Sequence, residues 1–155
     1  MTDKIIHPPK LGLRKRVATS LSFFSPNLLF VGGILRIIQE LILQRPDSIV
    51  VVNSLLPRSS NWNDGNTRLA DSKYWPTIQT INHMLESFIT TTTTTTNRNN
   101  FDDFRKVHWF NATSLFLLDD ETIDIDLMAD LLHPSPTGSR LWLGEVYKII
   151  DGLIS

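Results

Sequence analysis

Asp130-Leu131-Leu132-His133-Pro134 sets a carboxylate and an imidazole three positions apart. At that spacing both groups fit on one side of a turn. The carboxylate can accept from one ring nitrogen, fix the tautomer and support the imidazolium formed during proton transfer. The other nitrogen is then free to act as a general base toward a serine hydroxyl. The same pair also fits a helix cap beside a surface histidine, so the spacing alone leaves both readings open. Ser135 and Thr137 follow at once and are candidate caps for the segment that begins near Gly138. Ser54 ends an apolar run, where parallel sheets present groups to ligands, but no glycine-rich turn follows it. Its expected role is hydrogen bonding at a strand end.

Other chemistries find less support. The chain has no cysteine, which excludes disulfide scaffolds, thiolate metal sites and thiol nucleophiles. Asp119, Asp120, Glu121, Asp124, Asp126 and Asp130 form an acidic stretch without a base, yet they lack the glycine and spacing of a calcium loop. A solvated acidic loop is the expectation, and no metal or other cofactor is predicted. His7 and His83 have no partners at ligand spacing, and His108 falls in a short apolar segment as a half-buried strand residue. Arg58 follows an apolar run in a polar loop, and Asn82 is expected to bond a neighbouring loop. Trp62, Trp75, Trp109 and Trp142 are scattered without interleaved basic residues. With a formal net charge of -1, this pattern argues against a nucleic-acid partner.

The elements that must position these residues follow from hydropathic period. Ser25-Pro26-Asn27 reads as a helix start, and Ile34, Ile37, Ile38, Leu41 and Ile42 recur on one helical face. Residues 48–56 form a β-branched run that Pro57 stops, as expected of a strand covered on both faces. Residues 57–73 read as a polar loop. Pro76 opens a second helix carrying Ile78, Ile81, Met84, Leu85 and Phe88. Thr90–Thr96 is a threonine homopolymer, and residues 90–100 are expected to be an exposed, mobile insertion. Val107-His108-Trp109-Phe110 makes a second strand. Gly138 to Ile154 makes a last helix with Leu141, Val146, Ile149, Ile150 and Leu153 as its apolar stripe. Alternation of helix and strand predicts an α/β fold with a parallel sheet.

The block Asp130-Leu-Leu-His-Pro-Ser-Pro-Thr-Gly138 before a closing helix resembles the last block of the SGNH, or GDSL, hydrolase family. A second match lies upstream. Residues 45–58, ending in Leu55-Leu56-Pro57-Arg58, resemble the strand that ends in Leu-Leu-Pro-Arg in platelet-activating-factor acetylhydrolase-like members. Gly33-Ile34-Leu35 and Ile81-Asn82 fall where such members carry a Gly-Ile helix start and an asparagine-bearing helix. The resemblance covers residues 25–154, the C-terminal half of the family fold. It implies a flavodoxin-like three-layer α/β/α sandwich, N-terminally incomplete, and hydrolysis of carboxylic or acetyl esters through a serine acyl-enzyme. His133 is then the base and Asp130 its orienting carboxylate, with a small-molecule ester as substrate of the complete fold.

The sequence also departs from that family. It contains no Gly-Asp-Ser block, and its one Asn-Asp pair, Asn63-Asp64, lies after Leu-Leu-Pro-Arg instead of ahead of Ser25-Pro26. Loss of a nucleophile or an oxyanion donor costs orders of magnitude in rate, so this chain is expected to be inactive by itself. A truncated gene model, a splice product and a degenerate paralogue all fit that expectation. The alternative is a non-catalytic interaction protein that pairs with a protein partner through an open sheet edge. Residues 1–24 are expected to be an irregular basic N-terminus. Its basic residues precede the uncharged stretch Val17 to Leu35, the order found in a signal or anchor. Thr19, Ser20, Ser22, Ser25, Pro26 and Asn27 interrupt that stretch, so a soluble chain without a membrane partner is favoured.

Overall fold

The computed structural model of the chain describes residues 25–60, 65–94 and 106–155. Helix α1 spans Pro26–Gln44, strand β1 Val50–Asn53, helix α2 Trp75–Thr94, strand β2 Val107–Phe110 and helix α3 Pro136–Ile154. The strands pair in parallel, with Val50 opposite Val107 and Asn53 opposite Phe110. The fold is therefore mixed α/β, with three helices and a two-stranded parallel sheet among the described residues. The basic segment 1–24 and residues 95–100, which include the last two threonines of the run, lie outside the described residues.

Alternation along β1 divides its side chains between two layers. Val50 and Val52 pack with Ile38 and Ile42 of α1, Ile89 of α2 and Val107 of β2. Val51 and Asn53 instead face a groove shared with Val146, Ile150 and Ile154 of α3. Toward the other end of the helices, Val31 packs with Ile81, Leu85 and Leu55. The first turns of α1 thus lie near the C-terminal end of β1, and its last turns near the N-terminal end. Both α1 and α2 run antiparallel to the strands, as a βαβ crossover requires.

A second core lies beneath the loops that carry the site. Leu69, Trp75, Phe116, Ile123, Met128 and Leu131 are buried together, with Leu56 and Trp142 against them. Burial of a side chain the size of Phe116 or Met128 is worth about 1.5–3 kcal/mol each, which helps to hold residues 112–131, where the short 3₁₀ helix Ala112–Phe116 is the one helical stretch.

Several element boundaries differ from those the sequence pattern suggests. The first strand ends at Asn53 because the Leu55 N–H and C=O leave the ladder for side chains. α2 continues to Thr94, so the threonine run begins inside a helix. Thr90 Oγ1 and Thr92 Oγ1 donate back to the carbonyls of Glu86 and Phe88. In α3 the half-buried face is Trp142, Val146, Ile149 and Leu153, whereas Leu141 and Ile150 are 38% and 41% exposed. α1 is one helix long and apolar enough to cross a membrane, and its Val31, Ile38 and Ile42 are buried against α2 and the sheet.

Candidate active site

Asp130 and His133 are brought together by a turn between the second core and α3. Asp130 Oδ2 lies 2.8 Å from His133 Nδ1. Asp130 Oδ1 accepts from the backbone N–H of His133 at 2.6 Å and of Leu132 at 2.9 Å. These bonds close the turn around Leu131, whose φ of 57° lies in the left-handed region. That conformation costs roughly 1–2 kcal/mol for a residue with a Cβ. Burial of the Leu131 side chain, 3% exposed, offsets the cost.

The turn is tied down on both sides. Leu131 N–H donates to the Met128 carbonyl, and the Leu131 carbonyl accepts from Ser59 N–H at 3.2 Å. Ser59, 2% exposed, belongs to the segment leaving β1, so the strand exit and the Asp-His turn are directly linked. On the other side Ser135 caps α3, its Oγ accepting from Gly138 N–H at 3.0 Å. The same hydroxyl donates to the Asp126 carbonyl, and Ser135 N–H donates to Leu127 O at 2.7 Å. Gly138 is required here, because a Cβ on it would fall 2.2 Å from Leu127 O. Ser135, not Gly138, therefore marks the start of the helix, with Pro136 in its first turn.

The electrostatics fix the direction of the hydrogen bond. The bond from the His133 side chain, then those from the His133 and Leu132 amides, hold the Asp130 carboxyl down to about 2 from its ordinary 3.8. An ionised carboxylate only accepts, so Nδ1 carries the proton and Nε2 of the neutral ring holds the free lone pair. Nε2 makes no hydrogen bond to a described residue, and the His133 side chain is 73% exposed. The geometry is that of a base aimed at solvent.

The remaining candidates lie elsewhere. Ser54 is 5% exposed, and its hydroxyl is committed to Thr113. Thr113 N–H donates to Ser54 Oγ at 2.8 Å, and Thr113 Oγ1 donates to Leu55 O at 2.7 Å. That leaves Ser54 O–H to donate to Thr113 Oγ1, a strand-end clamp with no hydroxyl free for attack. Asn82 completes it, with Oδ1 accepting from Leu55 N–H at 2.7 Å and Nδ2 donating to Leu55 O at 2.9 Å. Arg58 stacks over the Tyr74 ring, 4.9 Å from its centroid. Among the described residues no cluster of three or more His, Asp or Glu side chains can hold a metal ion. Within the acidic stretch, Asp120 is lowered from 3.8 by bonds from the Thr122 side chain and amide.

Thr113, Ser59 and Leu131 escape a reading of local pattern. The available signal for Thr113 is its place just past β2, matching the place of Ser54 just past β1. Comparison of the chain with protein-family models gives no match, and no curated protein matches it.

Proposed function

We propose that this chain carries the acid–base half of a serine ester hydrolase site of the SGNH type. Asp130 is the orienting residue and His133 the base, in a flavodoxin-like three-layer α/β/α arrangement. The observation that carries the reading is the 2.8 Å contact of Asp130 Oδ2 with His133 Nδ1, which leaves Nε2 unengaged. The parallel strands, with α1 and α2 against one set of β1 side chains and α3 near the other, support the layered arrangement. In the reaction class concerned, Nε2 takes the proton of a serine hydroxyl as that oxygen attacks the ester carbonyl. The imidazolium then returns the proton to the departing alcohol. Asp130 stays ionised and stabilises the imidazolium.

The sequence has no Gly-Asp-Ser block, and Ser54 is engaged with Thr113. This chain alone is therefore predicted to be inactive toward esters. The test is p-nitrophenyl acetate turnover by residues 1–155 beside a His133→Ala variant. Equal rates and no burst of p-nitrophenol are expected. A one-equivalent burst lost in His133→Ala would show an acyl-enzyme and overturn the predicted inactivity.

A further inference from the structure

We infer that the cleft between α2 and the exit of β2 binds a neutral saccharide unit. The inference does not depend on the ester-hydrolase reading, because the cleft shares no residue with the turn that carries Asp130 and His133. The cleft measures about 350 Å³, a size usual for small-molecule sites. One wall is α2, where Gln79, His83 and Glu86 recur at helical spacing on one face. The other is the chain leaving β2, with the exposed Asn111 on it.

Two tryptophans line the cleft, and apolar packing holds both in place. Trp75 is buried in one cluster with Phe116 and Leu131, while Trp109 packs against the cluster of Val31, Ile81 and Leu85. Aromatic surface fixed in this way meets a ligand with little further loss of side-chain freedom. The buried indole N–H of Trp109 makes no hydrogen bond with a described residue. A buried donor without an acceptor is costly, and a ligand oxygen at the indole edge relieves that cost.

The polar groups select the class of ligand. The side chains of Gln79, His83, Glu86 and Asn111 make no hydrogen bond or ion pair with a described residue, whereas Asn82 and Thr113 are engaged with Leu55. The two free amides both donate and accept, and the Glu86 carboxylate accepts. A sugar hydroxyl also does both, so the hydroxyls of one ring can serve all of these groups while its C–H face lies against an indole. Among the described lining residues there is no Lys or Arg, and Glu86 disfavours an anion. A quaternary ammonium suits indole and carboxylate but makes no hydrogen bonds, and so uses neither amide.

The test is ¹⁵N NMR of the 155-residue chain, titrated into the millimolar range with the methyl glycosides of glucose, galactose, mannose and N-acetylglucosamine in turn. At least one is expected to shift the indole N–H signals of Trp109 and Trp75 saturably. The Trp142 indole, which donates to Asn53 away from the cleft, should stay unmoved. Gln79→Ala and Asn111→Ala, both at exposed positions, should each raise the Kd roughly 2- to 10-fold, the worth of one hydrogen bond. Absence of a saturable shift with every one of these glycosides would overturn the inference. Shifts of equal size at Trp142, or a Kd unchanged in both variants, would overturn it too. Saturable shifts with tetramethylammonium chloride alone would assign the cleft to an organic cation and refute the saccharide.

Discussion

Asp130 holds His133 twice: one carboxylate oxygen meets ring Nδ1 at 2.8 Å and the other accepts the backbone N–H at 2.6 Å. Position and tautomer of the imidazole thus depend on one side chain. A surface histidine beside an aspartate needs only the first contact. The second fixes the backbone from which the ring projects, and it forms because Leu131 takes up the left-handed turn.

The double contact sets the response to acid. The Asp130 carboxyl titrates at about 2 in the folded chain, against an ordinary value of 3.8. A depressed folded value means that its support of the turn is complete above 3.8 and is lost as pH falls toward about 2. The Asp130 carboxyl carbon shift, followed by NMR from pH 6 to pH 1.5, should therefore move mainly below pH 3. The His133 and Leu132 amide shifts should move with it. Titration near 3.8 would contradict the contacts described.

Gly138→Ala should destabilise the chain although alanine is the better helix former. The added methyl meets Leu127 O at 2.2 Å, and overpacking of this kind costs about 1–3 kcal/mol. The urea midpoint should fall, with the largest amide shifts at residues 126–138. A raised midpoint would show that α3 is not seated against Leu127.

Ser135→Ala tests the same junction from the other side. Loss of an N-cap hydroxyl costs about 0.5–2 kcal/mol, and this hydroxyl also serves the Asp126 carbonyl. Loss of stability is expected in urea unfolding, whereas Thr137→Ala should be close to neutral.

Asn82→Ala should be more damaging than its polar character suggests. It removes the acceptor of Leu55 N–H and one of the two donors to Leu55 O, which keeps Thr113 Oγ1, and an unsatisfied buried backbone group costs about 1–3 kcal/mol. Asn82→Asp should restore the acceptor but not the donor, and so lie between Ala and the parent in urea stability. Equal stability of all three would show that Asn82 does not hold Leu55.

Much of this fold is legible in residue order. The period of Ile34, Ile37, Ile38, Leu41 and Ile42 gives α1, although Ile37 and Leu41 are exposed, and the β-branched run gives β1, because each element follows from its own neighbours. The end of β1 is not legible, since Asn82 and Thr113 divert Leu55 from across long stretches of chain. Local spacing likewise brings Asp130 to His133, but the hold of Ser59 on Leu131 links residues 72 positions apart. The stripe of α3 is misread for a related reason. Its neighbours, Asn53 on one side and the second core on the other, select Trp142 over Leu141.

The most direct test of the central claim is the ring tautomer of His133, read from ¹⁵N NMR of the neutral imidazole. With Asp130 accepting from Nδ1, the parent should show the Nδ1–H form in excess, leaving Nε2 as the base. Asp130→Ala should shift the population toward Nε2–H. A parent ring that already favours Nε2–H, unchanged in Asp130→Ala, would contradict the assignment of Asp130 and His133 as an orienting carboxylate and its base.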